Sequence, residues 1–238
     1  MTDFRSLHLG RSPGDPLVLP CPWDAASARV FAEAGFPALA TPSAGVAAAL
    51  GYADGDTPAA EMFAAIGRIV RAVEGFGVAV SADIEDGYGL PPDELAGRLL
   101  DTGAVGCNLE DSSDGVLRDP QENADRLAAF RAAAGAALFI NARVDTYIRG
   151  VRDPAPAIDR AVRYVAAGAD CVYPITAPPD QLPGLASAVG APLNALFRPR
   201  GPSPQELGTL GATRITFGGG LHSQSMERLR QDANALKH

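Results

Sequence analysis

The amino-acid sequence predicts an α/β fold, a closed (β/α)8 (TIM) barrel of eight parallel strands in a single domain. Eight short apolar runs alternate with eight helical segments at spacings of about 25 to 35 residues, as parallel β/α units require. Glycines such as Gly35, Gly103, Gly168 and Gly211 end helical segments shortly before the next strand. No G-x-G-x-x-G follows the first strand, which counts against a doubly wound dinucleotide-binding fold.

The composition indicates the class of protein and the cellular compartment in which it works. The chain has 238 residues, 47% of them hydrophobic and 20% charged, which is typical of a soluble globular protein. A net charge of −8 argues against a nucleic-acid partner. We see no signal peptide and no stretch long enough to span a membrane, and three scattered cysteines favour a reducing compartment. We therefore expect one cytoplasmic domain over residues 1–238.

The predicted elements follow one another with little room for linkers. The predicted strands cover residues 17–20, 38–41, 78–81, 105–110, 137–143, 169–174, 192–196 and 213–217. The predicted helices cover residues 25–34, 58–73, 92–101, 120–134, 155–167, 179–189, 203–210 and 221–236, with a short extra helix within 42–53.

Capping residues support several of the helix starts. Asp24 precedes an alanine-rich segment and is a typical N-cap, and Ser203 has the same position before its helix. Thr57 is a further candidate cap, followed by Pro58 at the first helical position. The fifth strand, A-L-F-I-N-A-R at residues 137–143, has the clearest apolar run of all eight strands.

The stretch S-A-D-I-E-D-G-Y-G at residues 81–89 carries the clearest chemical signal. Asp83 and Glu85 are two residues apart, so an extended backbone would place both carboxylates on one face. Gly87 and Gly89 then allow a sharp turn. Two adjacent carboxylates are costly unless they share a proton or a cation, and hard oxygen ligands suit Mg²⁺ or Mn²⁺.

Other polar residues occupy the same level of the predicted barrel, where active sites lie at the carboxyl ends of the strands. The fourth strand ends in Asn108 and Glu110, the fifth carries Asn141 and Arg143, and the seventh carries Asn194. Residues of equal parity on one strand can face the barrel axis together. Asp83, Glu85 and Glu110 are therefore predicted metal ligands, directly or through water. Asn108, Asn141 and Asn194 are predicted substrate contacts.

The simpler alternative is that these acids are N-caps or solvated loop charges, and we favour it for Asp86, Asp111 and Asp114. Arg143 either pairs with Glu110 or grips an anionic substrate, and we favour the second role.

Two other features near the predicted mouth also allow two readings. Ser43-Ala44-Gly45 either presents backbone amides to an anion or is only a tight turn into a helix. Cys21, at the end of the first strand, is either a small buried thiol or a proton donor, and we favour the first.

Several motifs together resemble the isocitrate lyase/phosphoenolpyruvate mutase superfamily. They are P-W-D-A-A-S-A-R at 22–29, S-A-G-V-A at 43–47, A-D-I-E-D-G-Y-G at 82–89, N-L-E-D at 108–111 and N-A-R at 141–143. The resemblance runs from the first strand to the eighth in the same order, and A-D-x-[DE]-x-G-Y-G is its specific part.

The resemblance implies a (β/α)8 barrel with Mg²⁺ bound to a 2-oxo acid or its enolate. By match, Asp83 would be the direct metal ligand, and Glu85 and Glu110 would act mostly through water. Asp54 would lie on the metal side and Arg143 would bind the substrate's carboxylate or phosphonate. Amides near Ser43, Ala44 and Gly45 would bind the oxo-acid carboxylate, and Trp23 would form part of the pocket wall.

The sequence departs from the lyase pattern after the fourth strand. Lyases of the superfamily carry a K-[KR]-C-G-H loop whose cysteine is the general acid, whereas Glu110 is followed here by D-S-S-D-G-V-L-R-D-P. Cleavage of isocitrate or methylisocitrate is therefore not expected. Candidate proton donors are Tyr88, Ser112, Cys21 or a metal-bound water.

The leading hypothesis is a Mg²⁺-dependent enzyme for a small 2-oxo carboxylate that works through a metal-bound enolate, as a C–C lyase or decarboxylase. The alternatives are a phosphonate P–C mutase or hydrolase, in which Arg118, Arg198 and Arg200 supply charge, and a non-catalytic oxo-acid-binding barrel.

We also expect a homo-oligomer, a dimer or tetramer. The resemblance implies a tetramer with exchanged last helices, and residues 221–236 carry an apolar stripe. The same stripe would also suit a monomer in which it closes the barrel.

Overall fold

A computed structural model describes residues 3–237, so residues 1, 2 and 238 of the predicted domain lie outside the described residues. The barrel strands are β1 (Leu17–Leu19), β2 (Ala38–Ala40), β3 (Ala79–Asp83), β4 (Gly106–Leu109), β5 (Phe139–Val144), β6 (Cys171–Pro174), β7 (Asn194–Leu196) and β8 (Arg214–Thr216). The helices are α1 (Ala25–Glu33), α2 (Ser43–Leu50), α3 (Ala59–Val73), α4 (Pro92–Asp101), α5 (Pro120–Ala134), α6 (Pro154–Ala166), α7 (Leu182–Val189), α8 (Pro204–Thr209) and α9 (Gly220–Ala235). A two-stranded hairpin, Ser112–Ser113 with Val116–Leu117, follows β4.

The eight strands are parallel and form a closed barrel, as predicted. Strands β2 to β6 pair in chain order, and β8 pairs with both β7 and β1. A single parallel bridge between Val172 and Leu193 joins β6 to β7. The amide of Ala40 donates to the carbonyl oxygen of Pro20 at 3.1 Å and joins β1 to β2. Closure leaves the sheet without a long free edge.

The apolar residues form two layers. The larger one lies between strands and helices and includes Leu39, Ile66, Val80 and Ile140, all of them buried. The smaller one fills the amino end of the barrel with first residues of strands, such as Leu17, Ala38 and Phe139. Small residues among them leave room for large side chains inside the barrel.

The N-terminal segment covers the amino end of the barrel. Phe4 packs edge-to-face on Phe139 with ring centroids 5.3 Å apart, and His8 stacks on Phe139 at 4.0 Å. Arg5 forms an ion pair with Asp170. Beneath this cover, Arg214 is fully buried. Among residues 3–237, this segment covers the amino end of the barrel and leaves the carboxyl end open to a ligand.

Most predicted boundaries are right within about two residues, which is the usual uncertainty of helix and strand ends. Asp24 and Ser203 each cap a helix in a capping box. The prediction that Thr57 caps α3 is wrong. Pro58 is the residue before α3, and no side chain caps this helix. The Thr57 hydroxyl is buried without a hydrogen-bond partner. No helix among residues 3–237 is long and apolar enough to cross a membrane.

Candidate active site

Polar side chains from four neighbouring strands lie at two successive levels near one end of the barrel. The strand register places Asp83 beside Asn108 and Asn108 beside Asn141. Two residues further along, Arg143 lies beside Tyr173. These positions are at or near the carboxyl ends of β3 to β6, where a barrel carries its chemistry.

Two adjoining cavities open at this end of the barrel. The inner cavity, of about 350 Å³, is lined by Ser43, Asp83, Asn108, Arg143 and Tyr173 among others. The outer cavity, of about 420 Å³, is more polar and is lined by Glu85, Glu110 and the hairpin. Asp54 and Arg143 line both cavities, so they mark the boundary between the two.

Asp83 is held firmly at the end of β3. Its backbone N–H donates to the hydroxyl of Thr41 at 3.1 Å. Its carboxylate accepts the N–H of Glu85 at 3.2 Å and the hydroxyl of Ser43 at 3.5 Å. Burial raises the pKa of Asp83, while the charge of Arg143 opposes that rise. The strand therefore presents a fixed carboxylate to the inner cavity.

Glu85 does not continue the strand, so the argument from extended spacing is wrong for this pair. Strand β3 ends at Asp83, and Glu85 has a φ of 50°, in the left-handed region. A turn follows, in which the N–H of Gly87 donates to the carbonyl oxygen of Ile84 at 2.9 Å. The turn sends Glu85 to the outer cavity, where its Oε1 is buried without a hydrogen-bond partner.

Arg143 is shared between two carboxylates. It forms an ion pair with Glu110, and its Nε and Nη2 donate to Asp145 at 2.6 and 3.2 Å. The pairing with Glu110 that the sequence left open is therefore present, and a grip on substrate remains a prediction. Burial raises the pKa of Glu110 to about 9, although the Arg143 charge opposes this.

The donor set can be tested for its fit to a divalent ion. Among residues 3–237, no three His, Cys, Asp or Glu side chains are close enough to hold a metal between them. The donors are nonetheless hard oxygens, the Ser43 hydroxyl contacts both Asp54 and Asp83, and one Glu85 oxygen has no partner. Mg²⁺ keeps several waters and takes one or two carboxylates directly, so these residues fit it.

The first turn of α2 faces the inner cavity. Ser43 and Ala44 line that cavity, and no side chain caps the helix. The first bond back to the preceding loop is made by the N–H of Val46, to the carbonyl oxygen of Pro42 at 3.0 Å. The earlier N–H groups are thus available to an anion.

Gly45 serves packing rather than the cavity wall. It does not line the inner cavity, and a Cβ there would lie 2.9 Å from Pro42 Cγ and 3.3 Å from Trp23 Cβ. A side chain at this position would therefore push α2 away from the end of β2.

Trp23 and Tyr88 lie away from both cavities, contrary to prediction. The ring of Trp23 packs edge-to-face on His222 of α9 at 5.2 Å and lines a surface groove between α1 and α9. Tyr88, with a φ of 57°, turns its ring onto Phe63 at 5.8 Å. Burial raises the pKa of Tyr88, whose hydroxyl has no partner. The left-handed backbone turns this side chain toward the helix layer.

Three amide side chains form a buried network inside the barrel. Asn141 donates to Asn108 at 2.7 Å and to Asn194 at 3.3 Å. Asn108 reaches the inner cavity, whereas Asn141 and Asn194 are fully buried and do not line it. The predicted substrate contacts of Asn141 and Asn194 are therefore not present, and both residues support Asn108 from below.

Asp111 is not the solvated loop charge that the sequence suggested. It is fully buried, accepts hydrogen bonds from Arg160 at 3.0 Å and Tyr164 at 2.8 Å, and accepts the backbone N–H of Asp145 at 2.8 Å. It thereby ties the strand that carries Arg143 to α6.

The remaining loop acids and the cysteines are simpler. Asp114 lies exposed in the hairpin turn, as expected. Asp86 is partly buried and pairs with Arg118 at 3.1 Å. Cys21, Cys107 and Cys171 are free and buried. Burial raises the pKa of the Cys21 thiol to about 12, and its sulfur accepts the N–H of Phe217 at 3.2 Å. The structure thus fits the buried-thiol reading of Cys21.

Sequence reasoning missed two supporting residues. Asp145 is fully buried, and its position two residues after Arg143 was the available signal. Arg126 of α5 donates to the backbone carbonyl oxygens of Asp86 and Glu110, joining the loops after β3 and β4. Nothing local in the sequence marks Arg126, because its partners are backbone atoms distant in the chain.

Stability of the metal-free protein should fall as pH rises. Burial, followed by the charges of Asp83 and Asp54, raises the pKa of Glu85 to about 7. A carboxyl with a raised folded-state pKa favours folding fully below its unfolded pKa of about 4.3, and this contribution is lost as pH rises through the folded value. Calorimetry should show a Tm lower by several degrees at pH 9 than at pH 5.

The Glu85→Gln variant should flatten this profile around pH 7, and the exposed control Glu74→Gln should not. An unchanged slope in Glu85→Gln would show that Glu85 is not the titrating group. Added Mg²⁺ should reduce the decline, because bound cation favours the ionised carboxylates.

Comparison with known proteins gives consistent results. The family profile of phosphoenolpyruvate phosphomutase matches residues 4–237. An uncharacterized protein of Mycobacterium tuberculosis H37Rv is 36% identical over 235 residues, which is 98% of this chain and 88% of that protein.

Two solved structures add to this. One from Burkholderia cenocepacia J2315, assigned as a phosphonomutase, is 41% identical with a TM-score of 0.87 and covers 99% of this chain and 98% of its own. The other is 2,3-dimethylmalate lyase of the PEP mutase/isocitrate lyase superfamily. It is 26% identical with a TM-score of 0.82, and the match covers 94% of this chain and 83% of the lyase chain.

Proposed function

Because this chain belongs to the phosphoenolpyruvate mutase/isocitrate lyase superfamily, whose members are lyases and mutases, we propose that it is a Mg²⁺- or Mn²⁺-dependent enzyme acting on a 2-oxo carboxylate. The proposed reaction makes or breaks a carbon–carbon bond next to the oxo group through an enolate, as a lyase or decarboxylase. The substrate is a small carboxylate.

One observation carries the proposal. Asp83, Glu85 and Arg143 are buried and Glu110 is partly buried around two adjoining cavities, and one Glu85 oxygen is left without a partner. Buried acids with raised pKa values are stable as anions only beside a cation. Asp83 would hold the ion, with Glu85, Glu110 and Asp54 acting mainly through water. When bound, the ion supplies positive charge beside the oxygen on which negative charge develops.

The chain's own groups would hold the two ends of the substrate. The free N–H groups of Ser43 and Ala44 at the start of α2 suit the oxo-acid carboxylate. Arg143 suits a second acidic group, with Asp145 fixing the plane of its guanidinium from behind. Glu110 would have to share Arg143 with this group. Holding both ends aligns the breaking bond and reduces the entropic cost of reaction.

Phosphonate chemistry is the second candidate, and a specific observation favours it. The Burkholderia structure assigned as a phosphonomutase is 41% identical over nearly the whole of both chains. Arg198 also lines the inner cavity and is exposed at its rim, where it could meet a phosphonate. Arg118 is less suitable, because it already pairs with Asp86.

A turnover screen separates these functions. The protein is incubated with Mg²⁺ and, in turn, 2-oxo acids, hydroxy diacids and phosphonopyruvate, and products are followed by NMR. We expect turnover of a 2-oxo carboxylate that stops when EDTA removes the ion. Turnover of phosphonopyruvate alone would favour the second candidate. Oxalate binding without any turnover would favour a non-catalytic oxo-acid-binding barrel.

We further propose a homo-oligomer, in which α9 and the groove beside α1 pack against another copy. No described residue of α9 is buried in the isolated chain, and Leu229 and Leu236 are 59% and 88% exposed. Across the groove, Val30 of α1 is 60% exposed. In the alternative, α9 closes the barrel of a monomer, but the exposed apolar side chains of α9 favour the oligomer.

Sedimentation at micromolar concentration should therefore give a dimer or tetramer. Leu229→Glu places a charge in the proposed interface and should shift the protein toward monomer. Asn234→Glu, on the opposite side of α9, is the matched control and should leave the assembly intact. A monomeric parent protein would contradict the proposal.

We also propose a cytoplasmic location. Three buried free cysteines, none of them in a disulfide, are typical of proteins from a reducing compartment.

A further inference from the structure

Tyr173 lines the inner cavity, although it is neither a proposed metal ligand nor a proposed substrate contact. It lies on β6 directly beside Arg143 of β5, and its side chain is 3% exposed. Thr216 of β8 lines the same cavity and is near enough to the Tyr173 phenol to interact with it.

We propose that Tyr173 is the catalytic residue that delivers a proton to the enolate carbon, a role that rests on the proposed function. The barrel lacks the cysteine-bearing loop that would otherwise supply this proton, so another acid has to do so. A phenol inside the cavity can take that role.

The position of Tyr173 suits proton transfer from the far wall. Strands β3, β4, β5 and β6 are consecutive in the sheet, so Tyr173 lies three strands away from Asp83 in a barrel of eight. The substrate oxygens belong on the Asp83 side. A group on the opposite side of the cavity meets the face of the enolate carbon that the ion site leaves open.

A hydrogen-bond chain orients the phenol. Asn194 donates its side-chain N–H to the Thr216 hydroxyl at 2.9 Å. The Thr216 proton is then free to go to the Tyr173 oxygen, and the phenol proton is free to point into the cavity. Burial raises the pKa of the Tyr173 phenol and keeps it protonated before the transfer, while Thr216 and the charge of Arg143 oppose that rise and would stabilise the phenolate that the transfer leaves.

The other candidate donors are engaged elsewhere. The Ser43 hydroxyl contacts Asp54 and Asp83, and the Ser112 hydroxyl donates to Asp145. Cys21 also lines the inner cavity, but its thiol donates to the carbonyl oxygen of Leu19 at 3.6 Å and its sulfur accepts the N–H of Phe217 at 3.2 Å. Tyr88 packs in the helix layer.

The proton balance is simple. Decarboxylation leaves the electron pair of the broken carbon–carbon bond in the enolate and releases CO₂. In retro-aldol cleavage the other fragment leaves as a carbonyl compound and its hydroxyl proton goes to water. In both cases the electron pair of the enolate forms a C–H bond with the phenol proton as the O–H bond of Tyr173 breaks, which leaves a phenolate. The phenolate regains its proton from water entering at the open end of the barrel. In the reverse direction the phenolate removes a proton from the same carbon.

Deuterium exchange tests this directly. The full-length protein with Mg²⁺ is incubated in D₂O with 2-oxobutanoate, and loss of C3 protons and the configuration of the monodeuterated product are measured. The parent should exchange one C3 proton stereospecifically. Tyr173→Phe should slow exchange by about 100-fold or more and lose the stereospecificity, since a positioned acid–base group contributes about 10²- to 10⁴-fold.

Controls make the result specific to the phenol. Tyr147→Phe removes a different buried hydroxyl, bonded to Gln181 at 2.5 Å outside the cavity, and should exchange within about twofold of the parent rate. Oxalate affinity with Mg²⁺, measured by calorimetry, should change less than about threefold in Tyr173→Phe.

Exchange at the parental rate in Tyr173→Phe would overturn the role of Tyr173 as proton donor but not the proposed function. Loss of oxalate binding in that variant would also overturn it, because the phenol would then be structural. A parent protein that exchanges no C3 protons would overturn the proposed function, and this inference with it.

Discussion

Asp83→Ala is expected to abolish Mg²⁺ binding and turnover together. The Asp83 carboxylate is fixed by two hydrogen bonds, from the Ser43 hydroxyl and the Glu85 N–H, and its backbone N–H is anchored on Thr41, so an alanine at the same place would leave the inner cavity without this carboxylate. Changes to residues that only support metal ligands already reduce affinity about 10- to 100-fold. We therefore expect a loss of at least about 100-fold in Mg²⁺ affinity by calorimetry.

Graded variants test the order of importance. Glu85→Gln and Glu110→Gln should weaken Mg²⁺ binding less than Asp83→Ala, because both carboxylates line the outer cavity rather than the one that Asp83 faces. Asp114→Ala, at the exposed hairpin turn, is the matched control and should bind like the parent. An Asp83→Ala protein with parental affinity would place the ion elsewhere.

Arg143→Ala is expected to reduce kcat/KM at least about tenfold on any substrate found by the screen. A charge-assisted hydrogen bond contributes about 1.5–3 kcal/mol, and about 1.4 kcal/mol corresponds to a factor of ten. Arg143→Lys should restore only part of the activity, since an ammonium cannot reproduce the planar guanidinium. Steady-state kinetics and Mg²⁺ affinity should be measured on the same samples.

Arg143→Ala should also lower stability, because Glu110 and Asp145 would lose their shared cation. Thermal unfolding therefore accompanies the kinetics, and partial rescue by Arg143→Lys separates the two effects. Ser113→Ala, which removes only a hydrogen bond to Asp86, is the control in the hairpin. If Arg143→Ala stayed near parental while Ser112→Ala or Ser113→Ala abolished turnover, the hairpin would be the catalytic element.

The sequence predicted the barrel well because strand and helix signals are local. Apolar runs, caps and glycine stops repeat at nearly every unit, and the strand register follows once eight parallel strands close. The same reasoning brought Asp83, Asn108 and Arg143 to one end of the barrel. The C-terminal helix was also predicted, to within one residue at each end.

Side-chain directions were harder to predict, for identifiable reasons. Glu85 and Tyr88 lie in a turn where both residues have positive φ, and strand parity does not hold there. Asn141 and Asn194 have the expected parity but are fully buried and do not line the inner cavity.

Longer-range contacts were beyond local patterns altogether. Tyr173 became visible only when the register placed it beside Arg143, and Arg126 only when α5 packed on two loop carbonyls.

A crystal soaked with Mn²⁺ and oxalate gives the most direct test of a divalent-ion site for 2-oxo acids. Manganese can be located by its anomalous scattering, and oxalate mimics the enolate of a 2-oxo acid. We expect one manganese peak beside Asp83, with oxalate bound to the manganese between the first turn of α2 and Arg143. Manganese absent from Asp83, or oxalate bound elsewhere without the metal, would contradict this expectation.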